Sequence, residues 1–115
     1  MKIANRDARK FVKDRVPFGG SNLYAKQHTL VTDGDTVTWY VVYSYGEHYP
    51  MFVCINGHWF ENDDGYSRTT SRHRSQCYPH GETTFPLTTR WMQVLAEQGY
   101  VALAKMRIVE GVTWL

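Results

Sequence analysis

"TVTWYVVYSY", Thr36 to Tyr45, decides how this chain is read. Apart from Ser44, each of its residues is β-branched or aromatic, the side chains that fit a pleated, half-buried surface. Val37, Trp39, Val41, Tyr43 and Tyr45 alternate onto one face. The positions between them are also largely apolar, so both faces read as buried and the stretch reads as a central strand. Asp33-Gly34 just before it is a tight-hairpin signal that pairs it with "KQHTLV" (Lys26–Val31). "GEHYP" turns the chain after it, and "MFVCI" (Met51–Ile55) supplies the third strand. Asn56-Gly57 is a second tight turn, and "HWFE" (His58–Glu61) is the next strand. The expected centre of the fold is an antiparallel meander of about four strands.

Helices flank this meander. In "ANRDARKFVKDR" (Ala4–Arg15) Asn5 is placed to cap a helix, and Ala8, Phe11, Val12 and Arg15 recur at helical spacing. Arg6, Arg9, Lys10 and Lys13 fall on its other face. Val16-Pro17 stops it, because a residue before proline is pushed out of the helical region. "FGGSN" (Phe18–Asn22) then reads as a loop. At the other end, Thr88 or Thr89 caps "RWMQVLAEQ", with Trp91, Val94 and Leu95 on one face and Gly99 as the stop. "YVALAKMRIV" (Tyr100–Val109) fits a second helix or a final edge strand equally well. Between Asn62 and Leu87 hydrophobic periodicity disappears. That segment reads as a long loop, with at most a short helical turn capped by Thr69 or Ser71, and loops of this length are usually functional or mobile. The expectation is an α+β chain forming a single domain over residues 1–115. It has an N-terminal helix, a four-stranded antiparallel meander, and one or two C-terminal helices packed on one face.

Composition sets limits on function. The 115 residues suit one domain, with 43% hydrophobic and 21% charged residues, values of a globular chain. Aromatics reach 15%, enough to serve both the core and a contact face. The formal net charge of +2 is too small to imply nucleic acid by itself. No apolar run approaches the roughly 20 residues of a membrane helix. Two cysteines, Cys54 and Cys77, with no signal peptide ahead of them, fit a reducing cytoplasm better than a secreted disulfide scaffold.

The chemistry concentrates in "YSRTTSRHRSQ" (Tyr66–Gln76), which has Ser, Thr, Arg or His at nine of eleven positions and no acid. Arg68, Arg72 and Arg74 form bidentate forks suited to phosphate, and Ser67, Thr69, Thr70, Ser71 and Gln76 add neutral hydrogen-bonding groups. Tyr66 and Tyr78 flank the stretch as stacking platforms for bases. The basic face of the first helix extends such a patch, while Asp33, Asp35, Asp63 and Asp64 work against it. The contrary reading is a loop pinned by its own Ser and Thr hydrogen bonds, its arginines solvated. His73 is the one catalytic candidate, a general acid or base with Arg72 or Arg74 on the transition-state charge. It lies near Ser67, Ser71 and Ser75, but sequence proximity is weak grounds for a triad, and no G-x-S-x-G elbow exists. A second proton-transfer group would have to come from His28, Glu47 or His48. The competing reading is an imidazole exposed among polar neighbours.

Cys54, His58, Cys77 and His80 make a Cys2His2 set on paper. A two-residue hairpin at Asn56-Gly57 puts Ile55 and His58 on one side of the sheet and Cys54 and Trp59 on the other, so Cys54 and His58 cannot share an ion. No metal or other cofactor is therefore assigned. "YSYGEHYPMF" offers instead an aromatic turn for a protein partner, through Tyr43, Tyr45, His48 and Tyr49.

"YVVYSYGEHYPMFV" (Tyr40–Val53) followed by "YSRTTSRHRSQ" resembles a family of small proteins of unknown function encoded by bacteriophages and mobile elements. They share a VYSY…P strand and a YS-x-TTS-x-H segment. The resemblance runs from about Tyr40 to Leu95, through "TTFPLTTRWMQVLAE", and falls on Tyr66, Ser67, Thr69, Thr70, Ser71, His73, Ser75 and Gln76. It carries no role over to Cys54 or Cys77. It implies action in the bacterial host cytoplasm, and a protein partner in a host or defence machine such as a CRISPR effector. The expected function is thus a non-enzymatic phage accessory protein that binds a host macromolecule. Nucleic-acid binding through residues 66–76 and a phosphodiesterase or nucleotide-modifying reaction at His73 are the alternatives.

Overall fold

Two tight turns organise the sheet. At Asn56 (φ 51) and Gly57 (φ 80) both backbones are left-handed, a conformation open to glycine and tolerated by asparagine. Ile55 pairs with His58 across the turn. The chain is described by a computed structural model that covers residues 2–32, 34–64, 68–79, 81–99 and 101. Asp33 of the first turn lies outside the described residues, but Thr32 pairs with Asp35 around it, as the hairpin requires. Four strands follow from these turns: β2 (Leu23–Thr32), β3 (Asp35–Ser44), β4 (Pro50–Ile55) and β5 (His58–Asn62). They form the expected antiparallel meander, with β3 and β4 in its middle.

The sheet is wider than that. Phe18–Gly19 is a two-residue edge strand, β1, antiparallel to β2, where a loop was expected. At the far edge Thr84–Leu87 forms β6, parallel to β5. The result is a six-stranded mixed sheet in chain order, β1 to β6. Pro86 has no N–H to offer and stands on the outer strand, where proline is tolerated.

Helices cover both faces of the sheet. The N-terminal segment begins as a 3-10 turn (Asn5–Asp7) and continues as α1 (Ala8–Lys13). Ala8 and Val12 are buried with Phe18, Leu23, Tyr40, Val42, Phe52, Cys54, Trp59 and Cys77, forming the core on one side of the sheet. Residues expected to be a loop form α2 (Arg68–Cys77), which covers this same side through Cys77. Thr69 and Ser71 fall within that helix and do not start it. The opposite side is closed by α3 (Thr89–Gln98). Its Met92, Leu95 and Ala96 pack on Trp39, Val41, Tyr43, Val53, Ile55 and Phe60, with Trp91 and Val94 half-buried beside them. Thr88 caps α3 by accepting from the Trp91 N–H, and Asp64 accepts from the Thr89 N–H. That last bond holds the Asp64 carboxyl below the usual carboxylate range. Gly99 ends the helix, its N–H donating to the Leu95 carbonyl. The ambiguous stretch after it lies, apart from Val101, outside the described residues.

Strand β3 feeds both cores, which is why its two faces are equally apolar. A bulge opposite Val42 and Tyr43 lets Met51 and Phe52 of β4 enter the same core. No described helix is long and apolar enough to cross a membrane.

Candidate binding surface

The nominated residues are sorted by one turn. After Ser44 the chain leaves the sheet at Tyr45, whose φ of 65 is unusual for a tyrosine and reverses the alternation. The Tyr45 N–H donates to the Asn22 carbonyl, and Ser44 and Tyr49 close the turn through backbone hydrogen bonds. Tyr45 therefore does not share a face with Tyr43. Its ring, 48% exposed, lies 5.5 Å from the His73 ring of α2. Tyr43 is buried beneath α3, and Tyr49 is buried with its hydroxyl donating to the Asp64 carbonyl. His48 lies with Tyr43 on the α3 side. The single aromatic contact face expected of this turn is thus divided between the two sides of the sheet.

Helix α2 explains why its sequence shows no hydrophobic period. The residues it turns inward are Thr70, His73 and Cys77, a mostly polar stripe at helical spacing. His73 is only 3% exposed, so the exposed imidazole considered from sequence is not found. Its Nδ1 lies 2.8 Å from the buried Ser44 hydroxyl, and that hydroxyl donates in turn toward Thr70 at 3.5 Å. Its Nε2 lies 3.5 Å from Nδ2 of Asn5. Asn5 does not cap its helix. Its Oδ1 accepts from the Ser21 N–H and its Nδ2 donates to the Ser21 carbonyl, which fixes the orientation of the amide.

That orientation assigns the imidazole. With an amide N–H facing it, Nε2 must accept, so the ring proton is on Nδ1 and is donated to Ser44. The Ser–His–Asn set resembles a hydrolase triad on paper but runs in the wrong sense. A triad base accepts the serine proton and has its other nitrogen oriented by an acceptor. Here Ser44 is the acceptor, it is itself buried, and both ring nitrogens of His73 are engaged. Burial first, and the Arg72 charge second, lower the affinity of His73 for a second proton.

The arginines also separate. Arg74 is paired with the buried carboxylate of Glu61, whose Oε1 accepts from the Thr84 hydroxyl at 2.6 Å and the Tyr78 hydroxyl at 3.3 Å. This network ties α2 to β5 and β6, and it withdraws Arg74 from any phosphate site. Tyr78 is half-buried against Phe52, not a free stacking platform. Gln76 is half-buried. Ser71, Arg72 and Ser75 are exposed on the outer face. Tyr66 and Ser67 lie outside the described residues, as do the side chains of Arg68 and Thr69 and the whole of His80. Alongside, Arg6, Arg9, Lys10 and Lys13 of the N-terminal helical segment are exposed, and Arg9 donates to the Ser75 carbonyl of α2 at 3.2 Å.

Both cysteines are buried on the core side, and burial raises both thiols, Cys77 to about 12. They are held as unreactive thiols at neutral pH. Among the described residues no group of three or more metal-ligating side chains converges. Ser44, Asn5 and Glu61 organise the α2 side without having been nominated as site residues. Ser44 alone left a trace, as the one small polar residue in an otherwise β-branched and aromatic strand. No family model, curated protein or solved structure matches the chain.

Proposed function

We propose that this chain is a non-enzymatic phage accessory protein that binds a host macromolecule, with the Tyr45 turn and the outer face of α2 as its contact surface. The observation that carries the reading is the packing of Tyr45 on His73. It joins the two segments that bear the resemblance to phage-encoded proteins, residues 40–53 and 66–76. An aromatic ring held in place and half exposed loses little freedom on binding, and Tyr beside Arg is a common pairing at interface hot spots. Ser71, Arg72 and Ser75 are exposed on α2, the same helix that carries His73. The resemblance makes a bacterial defence protein, such as a CRISPR effector, the first partner to seek.

A second reading, nucleic-acid binding, is supported by the exposed Arg6, Arg9, Lys10 and Lys13, whose segment meets α2 where Arg9 reaches the Ser75 carbonyl, and by exposed Arg72 on that helix. It no longer draws on Arg74. One experiment separates the two. Tagged protein is used to recover partners from nuclease-treated host lysate, beside a Tyr45→Ala/Arg72→Ala variant. Recovery of one host protein whose affinity drops by about thirtyfold or more in the variant supports the first reading. Recovery of nothing, together with a gel shift whose affinity falls steeply with salt, replaces it with the second.

A further inference from the structure

We infer that the cavity between α3 and the β2–β3 face is a binding site for a small organic cation bearing a guanidinium or ammonium group. The cavity holds about 400 Å³, within the range of small-molecule sites. It lies on the opposite side of the sheet from α2 and does not depend on the contact surface proposed above. Its lining includes His28 and Tyr43 from the strands, Glu47 and His48 from the turn, and Gln93 and Glu97 from α3.

The floor is rigid. The Tyr43 hydroxyl lies 2.9 Å from His28 Nε2. His28 stacks on Trp39 with ring planes 11° apart, and Trp39 Nε1 donates to the Ala96 carbonyl at 2.8 Å. Tyr24 stacks on Tyr43 from the side, at 5.2 Å. The rim is pinned as well, since the Gln93 amide donates to the His48 carbonyl. A preformed pocket of this kind binds without first paying for loop ordering.

The lining selects a cation. Two carboxylates, Glu47 from the turn and Glu97 from α3, line the cavity with the Tyr43 and His28 rings, and both act electrostatically on the Tyr43 hydroxyl. Carboxylate acceptors beside aromatic rings are what a guanidinium or ammonium group uses, by charge-assisted hydrogen bonds and cation–π contact. The resident cation nearby, Lys26, is drawn outward to Glu47 at 3.5 Å in an exposed pair. Among the described residues Glu97 has no ion-pair partner. The site thus has one carboxylate shared with Lys26 and one available to a ligand.

Agmatine is the probe, titrated into isotope-labelled full-length protein and followed by NMR, with 4-guanidinobutanoate as a control whose second end is negative. Saturable shifts centred on His28, Tyr43 and His48, weakened about tenfold by Glu97→Gln and unaffected by Tyr45→Ala, are the expected result. The 4-guanidinobutanoate control should bind more weakly than agmatine. No shift at these residues up to about 10 mM overturns the inference. So does a response that Glu97→Gln leaves unchanged, or one spread equally over the other surface carboxylates. A failed partner search leaves this result standing, because Tyr45 and Arg72 lie on the other side of the sheet.

Discussion

Replacing His73 by Gln changes how stability responds to acid, and the change can be worked out from its contacts. In the folded state the ring is buried, donates from Nδ1 to Ser44 and accepts at Nε2 from Asn5. A second proton would turn the Asn5 contact into two opposed donors and place a charge beside Arg72. The folded affinity for that proton is therefore below that of an unfolded histidine, about pKa 6.5. A group shifted in this direction contributes its stability in full above pH ~6.5 and loses it as pH falls toward the folded value. Between the two values one imidazole removes at most about 1.4 kcal/mol per pH unit. His28 is shifted in the same direction, first by burial and then by Lys26, so the described residues include two such groups. His73→Gln removes one of them. At about pH 7.5 the variant should be less stable by roughly 1–3 kcal/mol, for the bonds lost to Ser44 and Asn5. On acidification its stability should fall less steeply than that of the wild type, so the two curves converge. Urea unfolding followed by tryptophan fluorescence at several pH values between about 7.5 and 5 gives both numbers. If the curves fall in parallel, His73 is not held neutral by its folded surroundings and the proton assignment is wrong.

Two further predictions rest on a close packing contact and on a buried ion pair. A Cβ at position 99 would lie 2.7–2.9 Å from Trp39 ring atoms, at a backbone φ of 56. Gly99→Ala should cost about 2–4 kcal/mol in urea unfolding, and a loss under about 1 kcal/mol would mean that the helix end shifts freely. Arg74→Met leaves the Glu61 carboxylate buried without its cation, a loss of about 3 kcal/mol. Adding Glu61→Gln should restore most of it in the same assay, whereas additive losses would deny that the two groups are coupled.

The four central strands were legible because their signals are local: alternation, β-branched residues and two tight turns. The edge strands were not. β1 is two residues long, and β6 contains Pro86 and finds its partner through a parallel pairing that no adjacent turn announces. The helix in residues 68–77 was hidden for a different reason. Thr70 and His73 are buried by hydrogen bonding, so a search for apolar periodicity passes over them. The layering was also out of reach, since strands apolar on both faces do not say which side a helix will cover. Residues 43–49 were nominated as one aromatic face and residues 66–76 as one polar segment. Their division between two faces turns on the left-handed backbone of Tyr45, a conformation that few tyrosines adopt.

The strand order has a consequence for how the chain assembles. Because every strand pairs with its neighbour in sequence, most of the sheet can zip up through short loop closures, the topology of quick folding. The helices are held differently: Asn5–His73, Arg9–Ser75 and Trp39–Ala96 join residues 68, 66 and 57 positions apart. The α1 flank is tied to nearby sequence through Ile3, Asn5 and Ser21, so what its contacts with α2 add is the entropic cost of closing one long loop.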